Sequence, residues 1–178
     1  MDHNQQPFWE TKQLSEMTQS EWESLCDGCG RCCLQKLEDE DTEEIFYTDI
    51  VCQYLEVNDD FDLNSMDEEP NTDNISRINT DQSSDHFGCR CSIYKTRHEK
   101  VPSCLWLKPA HLEELKWLPS SCAYRMLYEG KGLASWHPLL TGRAESVHEA
   151  QISVIGKVIS EHCVPEEDWM DHIIEGII

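Results

Sequence analysis

The sequence predicts a small, irregular α+β domain, rich in cysteine and stapled by metal, with short helices and a few short strands. Three observations carry that prediction. The chain has 178 residues, about one domain's worth, and only 39% are hydrophobic, so a modest core has to be supplemented. Ten cysteines are present, and four of them fall between positions 26 and 33. Apolar residues come in short runs punctuated by turn residues, without internal repeats or a long periodic segment.

The elements follow in order. Pro7-Phe8-Trp9 anchors the start, and a short helix lies within 7–25. Ser20 with Glu23 fits a capping box, with Trp22 and Leu25 facing inward. Gly28 and Gly30 sit between the first cysteines, where backbone wrapping closely around an ion needs positive φ. Leu34 to Leu37 and Glu44 to Tyr47 read as short strands around an acidic turn. Residues 58–86 are dominated by Asp, Asn, Ser and Thr and read as a flexible acidic insertion in a single domain spanning 1–178. Within it, Asp60 to Asn64 resembles the start of a calcium loop, but Ser65 and Asn71 replace the required glycine and glutamate. Order is expected to resume at Phe87, with helices at Pro109 to Lys116 and Ser121 to Tyr128. Trp136-His137-Pro138 reads as a turn. Gln151 to Ser160 fits a strand or a buried short helix, and Trp169 to Ile174 a short amphipathic helix.

The formal charge is -21, from 14 basic and 35 acidic residues. Such a surface repels nucleic-acid phosphates and anionic lipids, and no tight basic cluster offsets it, so both partners are disfavoured. The apolar run from Ile152 to Ile159 is broken by Ser153, Gly156 and Lys157 and is too short to span a bilayer. The N-terminus carries no basic and apolar leader pattern, so a cytoplasmic location with reduced thiols is expected. The even number of cysteines does not by itself exclude bridges.

A thiolate is a soft ligand, suited to zinc, copper(I) and iron–sulfur iron. The spacing Cys26-x-x-Cys29-x-x-Cys32 can turn sulfurs onto one ion. It also matches the first three ligands of a bacterial ferredoxin run, although Cys33 and Leu34 replace that run's continuation. Adjacent side chains ordinarily point apart, so Cys33 is expected to serve a second site or to be a buried thiol. Cys89 and Cys91 flank Arg90 and would share one face of an extended segment. Cys104 and Cys122 stand at predicted turn or helix starts, where a helix dipole would favour a Cys122 thiolate. These eight thiols would fill two tetrahedral sites or one four-iron cluster with spares. Cys52 is a ninth candidate, and Cys163 reads as a plain thiol. Arg125 is a candidate to neutralise an anionic thiolate site, with a surface salt bridge the blander reading. His137 and His148 are candidate ligands or acid–base groups, with a backbone-satisfied or solvated histidine the blander reading. Trp106, Trp117 and Trp136 read as core around the site.

CDGCGRCC at 26–33 resembles the signature of the CxxCxxCC, or YkgJ-type, domains, which are described as chelators of zinc or iron. PFW at 7–9, EWESLCDGCGRCCLQKLEDEDT at 21–42, CAYR at 122–125, GLASWHPLLTG at 132–142 and VHEAQISVIGKVISE at 147–161 look like the YcgN-like branch. The resemblance implies a ligand set of Cys26, Cys29, Cys32, Cys33, Cys89, Cys91, Cys104 and Cys122, with Cys52 at a matching position. It implies zinc or iron, an iron–sulfur cluster among the possibilities, and no established reaction. Gln151 stands where this pattern usually has glycine, and Ile155 where it has arginine.

Three functional classes are compatible with these residues. One is a thiolate metal-binding protein. Another is a metal- or cluster-dependent enzyme, or an accessory to protein modification, with His137, His148 or Glu149 near an open metal position. The third is a zinc-stapled module whose acidic surface meets a basic partner.

Overall fold

A computed structural model describes residues 6–58, 88–104, 107–114 and 117–176. The order of regular elements is α1 (Phe8–Thr11), α2 (Gln19–Ser24), β1 (Leu34–Glu38), β2 (Ile45–Val51), β3 (Leu55–Asn58), β4 (Gly88–Cys91) and α3 (Arg97–Lys100). A 3-10 turn (Pro109–Glu114), α4 (Ala123–Tyr128), α5 (Pro138–Thr141), α6 (Ser146–Glu149) and β5 (Ile159–Ser160) follow. The chain closes with 3-10 turns at Glu161–Cys163 and Glu166–His172 and with β6 (Ile173–Ile174). This is the α+β arrangement of short helices and few strands that the sequence predicts. The acidic stretch expected at 58–86 lies outside the described residues except for Asn58, which ends β3. Phe87 and Trp106 lie outside them too. Among the described residues no helix is long and apolar enough to cross a membrane.

β1 and β2 pair antiparallel with an irregularity between Leu34 and Lys36. The Thr48 hydroxyl, fully buried, fills that irregularity by donating to the Gln35 carbonyl at 2.9 Å. β2 also pairs with β5 in parallel at Ile50 and Val51, and with β6 antiparallel at Tyr47 and Thr48. A second, two-stranded sheet joins β3 to β4, opposing Leu55 to Cys91 and Val57 to Cys89.

Four expectations shift. The capping box of α2 is Thr18 with Glu21, because the helix begins at Gln19 and Ser20 falls inside its first turn. The helix at Pro109 to Lys116 is a 3-10 turn ending at Glu114. Gln151 to Ser160 is mostly turn, with only Ile159 and Ser160 in a strand. The amphipathic helix at 169–174 is replaced by the 3-10 turn and β6, since the β-branched pair Ile173 and Ile174 finds the open edge of β2.

Two apolar clusters form the interior. One gathers Trp22, Leu25, Leu118 and Tyr124. The other gathers Leu34, Tyr47, Val51 and Val154. Leu25 directly precedes Cys26 and Leu34 directly follows Cys33, so the cysteine loop is strung between the two clusters with both ends buried. Cys122 packs against the first cluster, and Cys33 and Cys89 against the second.

Candidate metal centre

The loop from Cys26 to Cys33 is shaped locally and then pinned by distant chain. Asp27 Oδ1 accepts from the Cys29 amide at 3.1 Å, an Asx-type turn. Gly28 and Gly30 take φ of 70° and 76°. Arg31–Cys33 then form one 3-10 turn leading into β1. Three backbone bonds tie this loop to the rest of the molecule. Cys89 donates to the Gly28 carbonyl at 3.2 Å, Cys52 to Cys33 at 3.0 Å, and Val154 to Cys29 at 2.9 Å. Two of the three donors are themselves cysteines predicted as ligands, so the pairing that shapes the loop also delivers them to it.

Gly30 supplies the closest approach. A Cβ there would stand 2.7 Å from Val154 Cγ2 and 3.0 Å from both Cβ and Sγ of Cys89. Any side chain would fill the gap between the loop and β4. Arg31 locks the opposite flank: its Nε donates to the Ile152 carbonyl at 2.6 Å and its Nη1 to Ser121 Oγ at 3.1 Å, beside Cys122.

The thiols form one electrostatic neighbourhood around Cys32. A negative charge on Cys32 is felt by Cys26, Cys29, Cys33, Cys89, Cys104 and Cys122. Cys52 and Cys91 join through Cys33 and Cys104. All ten cysteines are free thiols, and Cys163 lies exposed at the end of its own turn. Cys26 and Cys32 open to solvent at the residue level, yet their sulfurs are set into the mass of the fold. Burial therefore raises Cys26, Cys29, Cys52 and Cys104 above the ordinary thiol value. Burial also lifts Cys89 to about 11, although the buried Ser153 side chain favours its charged form.

Two sequence expectations about sulfur change here. Cys32 and Cys33 do not act independently: both lie in one 3-10 turn, and the influence of each side chain on the other lowers Cys32 and raises Cys33. Cys122 occupies the N-cap position of α4 without a side-chain cap hydrogen bond, and the nearby Arg125 and Tyr124 amides favour a charged sulfur. Burial outweighs that help and pushes Cys122 up to about 12. A low-pKa thiolate from the helix dipole is therefore not what the site contains.

Other predicted residues resolve differently. Arg125 is turned away from neutralising sulfur: its Nε pairs with Glu129 at 2.8 Å and its Nη1 donates to the Leu118 carbonyl at 2.5 Å. His137 is 1% exposed, and both ring nitrogens are committed to backbone. The Leu139 amide donates to Nδ1 at 3.1 Å, so Nε2 carries the proton and donates to the Leu25 carbonyl at 3.1 Å. It is the backbone-satisfied histidine, not an acid–base group. Trp117 packs against the first cluster. Sequence reasoning missed Arg31, Lys36 and Ser153. Arg31 and Lys36 lie within or beside the motif, but only the folded chain reveals their partners.

Among the described residues no three cysteine, histidine or carboxylate side chains already stand in the geometry of a closed coordination sphere. The donors nonetheless fit a soft metal in kind: thiols on one neighbourhood, and a loop whose Gly30 cradle a Cβ would fill.

Residues 25–123 match the CxxCxxCC family, whose description reads "Putative zinc- or iron-chelating domain". A UPF0260 protein of Marinobacter nauticus is 47% identical over 97% of each chain. A UPF0260 protein of Pseudomonas putida is 46% identical over 94% of this chain and 93% of its own. One from Brucella abortus is 44% identical over the same shares. No solved structure matches.

Proposed function

The chain belongs to the CxxCxxCC family, and on that premise we propose that it is a cysteine-thiolate metal-binding protein of the YcgN-like branch, working in the cytoplasm. Cys26, Cys29, Cys32, Cys33, Cys52, Cys89, Cys91, Cys104 and Cys122 supply the ligands. The metal is zinc or iron, with an iron–sulfur cluster among the forms iron can take. One observation carries this reading: six other cysteines, drawn from three separate stretches of chain, share the electrostatic field of Cys32.

The mutual influence of Cys32 and Cys33 favours one continuous thiolate centre over two well-separated ones. Deprotonating several buried thiols is unfavourable without a cation, so metal binding and thiol ionisation are coupled and release protons together. When bound, the metal supplies cross-links between the two apolar clusters that this modest core lacks. Free thiols suit a reducing compartment.

The deciding experiment is metal and acid-labile sulfide analysis of anaerobically purified full-length protein, with Cys29→Ser alongside. Brown protein with sulfide identifies an iron–sulfur cluster, and colourless protein with stoichiometric zinc identifies zinc. Protein that stays metal-free under reducing, metal-replete conditions sinks the proposal.

A further inference from the structure

We infer that Lys36 is the built-in counter-cation of the thiolate centre, a positioning residue whose ammonium is fixed beside Cys32 to offset the negative charge of the metal–thiolate assembly. The inference rests on the proposed metal-binding function and adds a residue outside the cysteine set.

Lys36 is the half-buried central residue of β1. Its side chain is drawn back along the chain instead of into solvent. Nζ donates to the Cys32 carbonyl at 3.0 Å and to the Leu34 carbonyl at 2.5 Å. It also stands 5.1 Å from the centre of the Tyr47 ring and 4.9 Å from that of Trp117. Tyr47 is itself 1% exposed, and its hydroxyl donates to the Trp117 carbonyl, so the two rings are held together as a cage. In a chain with 35 acidic residues, the Lys36 ammonium meets no carboxylate among the described residues. The ionisable groups that act on it are the sulfurs of Cys32, Cys33 and Cys104. Burial disfavours its charge while those three sulfurs favour it.

A half-buried ammonium with no carboxylate is costly to keep, which makes sense where an anionic centre compensates it. An all-thiolate site around a divalent ion is anionic, so a fixed cation at its edge lowers the cost of gathering the sulfurs. Arg31 and Arg90, each adjacent in sequence to predicted ligands, are engaged elsewhere, Arg31 with the Ile152 carbonyl and Ser121 and Arg90 with Glu56, and Arg125 pairs with Glu129.

The test uses full-length protein carrying Lys36→Met, Lys36→Gln or Lys36→Arg, with near-UV circular dichroism to establish that each is folded. Zinc affinity is measured by competition with a chromophoric chelator across pH 6.5 to 8.5. Outer-shell partners of metal ligands typically carry about 10–100-fold in affinity. Lys36→Met and Lys36→Gln should lose that much and bind zinc only at higher pH, whereas Lys36→Arg should stay near wild type. A purely structural lysine would not separate Gln from Arg in the pH profile. The metal-free proteins provide an independent readout, the rate of Cys32 alkylation by iodoacetamide followed on peptides. That rate should fall about tenfold, or 1.4 kcal/mol, in the Met and Gln variants only. Unchanged affinity and alkylation in Lys36→Met overturns the assignment of Lys36 alone. Equal losses in Gln and Arg also overturn it, since shape and not charge would then be at stake. Wild-type protein that binds neither zinc nor iron overturns the metal reading, and the alkylation rates still judge Lys36.

Discussion

Gly30 and Cys89 approach so closely that a Cβ at position 30 would lie 3.0 Å from the Cys89 sulfur. With φ at 76°, the glycine is also in the left-handed region. The contact joins the cysteine loop to β4. Gly30→Ala should destabilise the fold by about 2–4 kcal/mol, summing left-handed strain and overpacking. Chemical denaturation would measure it, and metal content should fall in parallel. Gly132→Ala is a control that separates strain from the clash, because it shares a positive φ with nothing within 4 Å.

His137 holds the carbonyl of Leu25, the residue that hands the chain to Cys26. Replacing it with Phe leaves that buried acceptor and the Leu139 amide without their partner. A loss of about 1–3 kcal/mol is expected from the unsatisfied groups. Thermal melts would read it. If His137→Phe lost metal binding at unchanged stability, the assignment of this histidine as structural would be wrong.

Gln151 takes φ of 61°, uncommon for a residue with a side chain. The geometry explains why glycine suits this position. Gln151 and Ile152 donate to His148 and Val147 at 2.8 and 3.1 Å, the paired bonds of a Schellman motif closing α6. Gln151→Gly should stabilise the protein by about 0.5–1 kcal/mol, the strain relieved less the extra freedom of the unfolded chain. The melting temperature should rise, and Gln151→Ala should not reproduce the gain.

The buried thiols make the metal-free fold sensitive to alkali. Cys89 is raised to about 11 and Cys122 to about 12, from an ordinary 9.0. Above pH 9 the unfolded chain loses these protons while the folded one keeps them. Their contribution is complete below pH 9 and is lost as pH rises toward 11 and 12. Melts of chelator-treated, reduced protein should show a falling midpoint between pH 8.5 and 10.5. Zinc-loaded protein should resist that fall, because its ligands are already thiolates. A flat midpoint in the metal-free protein would contradict the burial of these two sulfurs.

Metal removal should loosen the join between the two apolar clusters more than either cluster itself. Hydrogen exchange with and without chelator would test this. Amides from Cys26 to Cys33, with those of Cys52, Cys89 and Val154 that bind the loop, should lose protection first. Equal loss across β1 and β2 would point to global unfolding instead.

Much of the local grammar was readable along the chain. β1 and β2 followed from short apolar runs, α4 lies within the helix expected at Ser121 to Tyr128, and the inward turn of Trp22 and Leu25 followed from the helix before Cys26. The weaker readings failed where several weak local signals competed. Ser20 and Glu23 match a capping box as well as Thr18 and Glu21 do, and only the helix start decides between them. Ile173 and Ile174 needed the edge of β2, which lies over 120 positions away.

By itself the sequence determined the chemistry of this protein: soft thiol donors at two-residue spacing, glycines between them, and a modest core. Those are properties of residue type and short spacing, which survive without a fold. Tertiary structure alone decided which groups meet. It brought Cys52 and Cys89 to the loop by backbone pairing, put Cys32 and Cys33 in one 3-10 turn, withdrew Arg125 and His137, and set Lys36 between two rings. The reason is physical. Hydrogen bonds and charges act over a few ångströms, and in this chain those distances are closed by residues tens of positions apart.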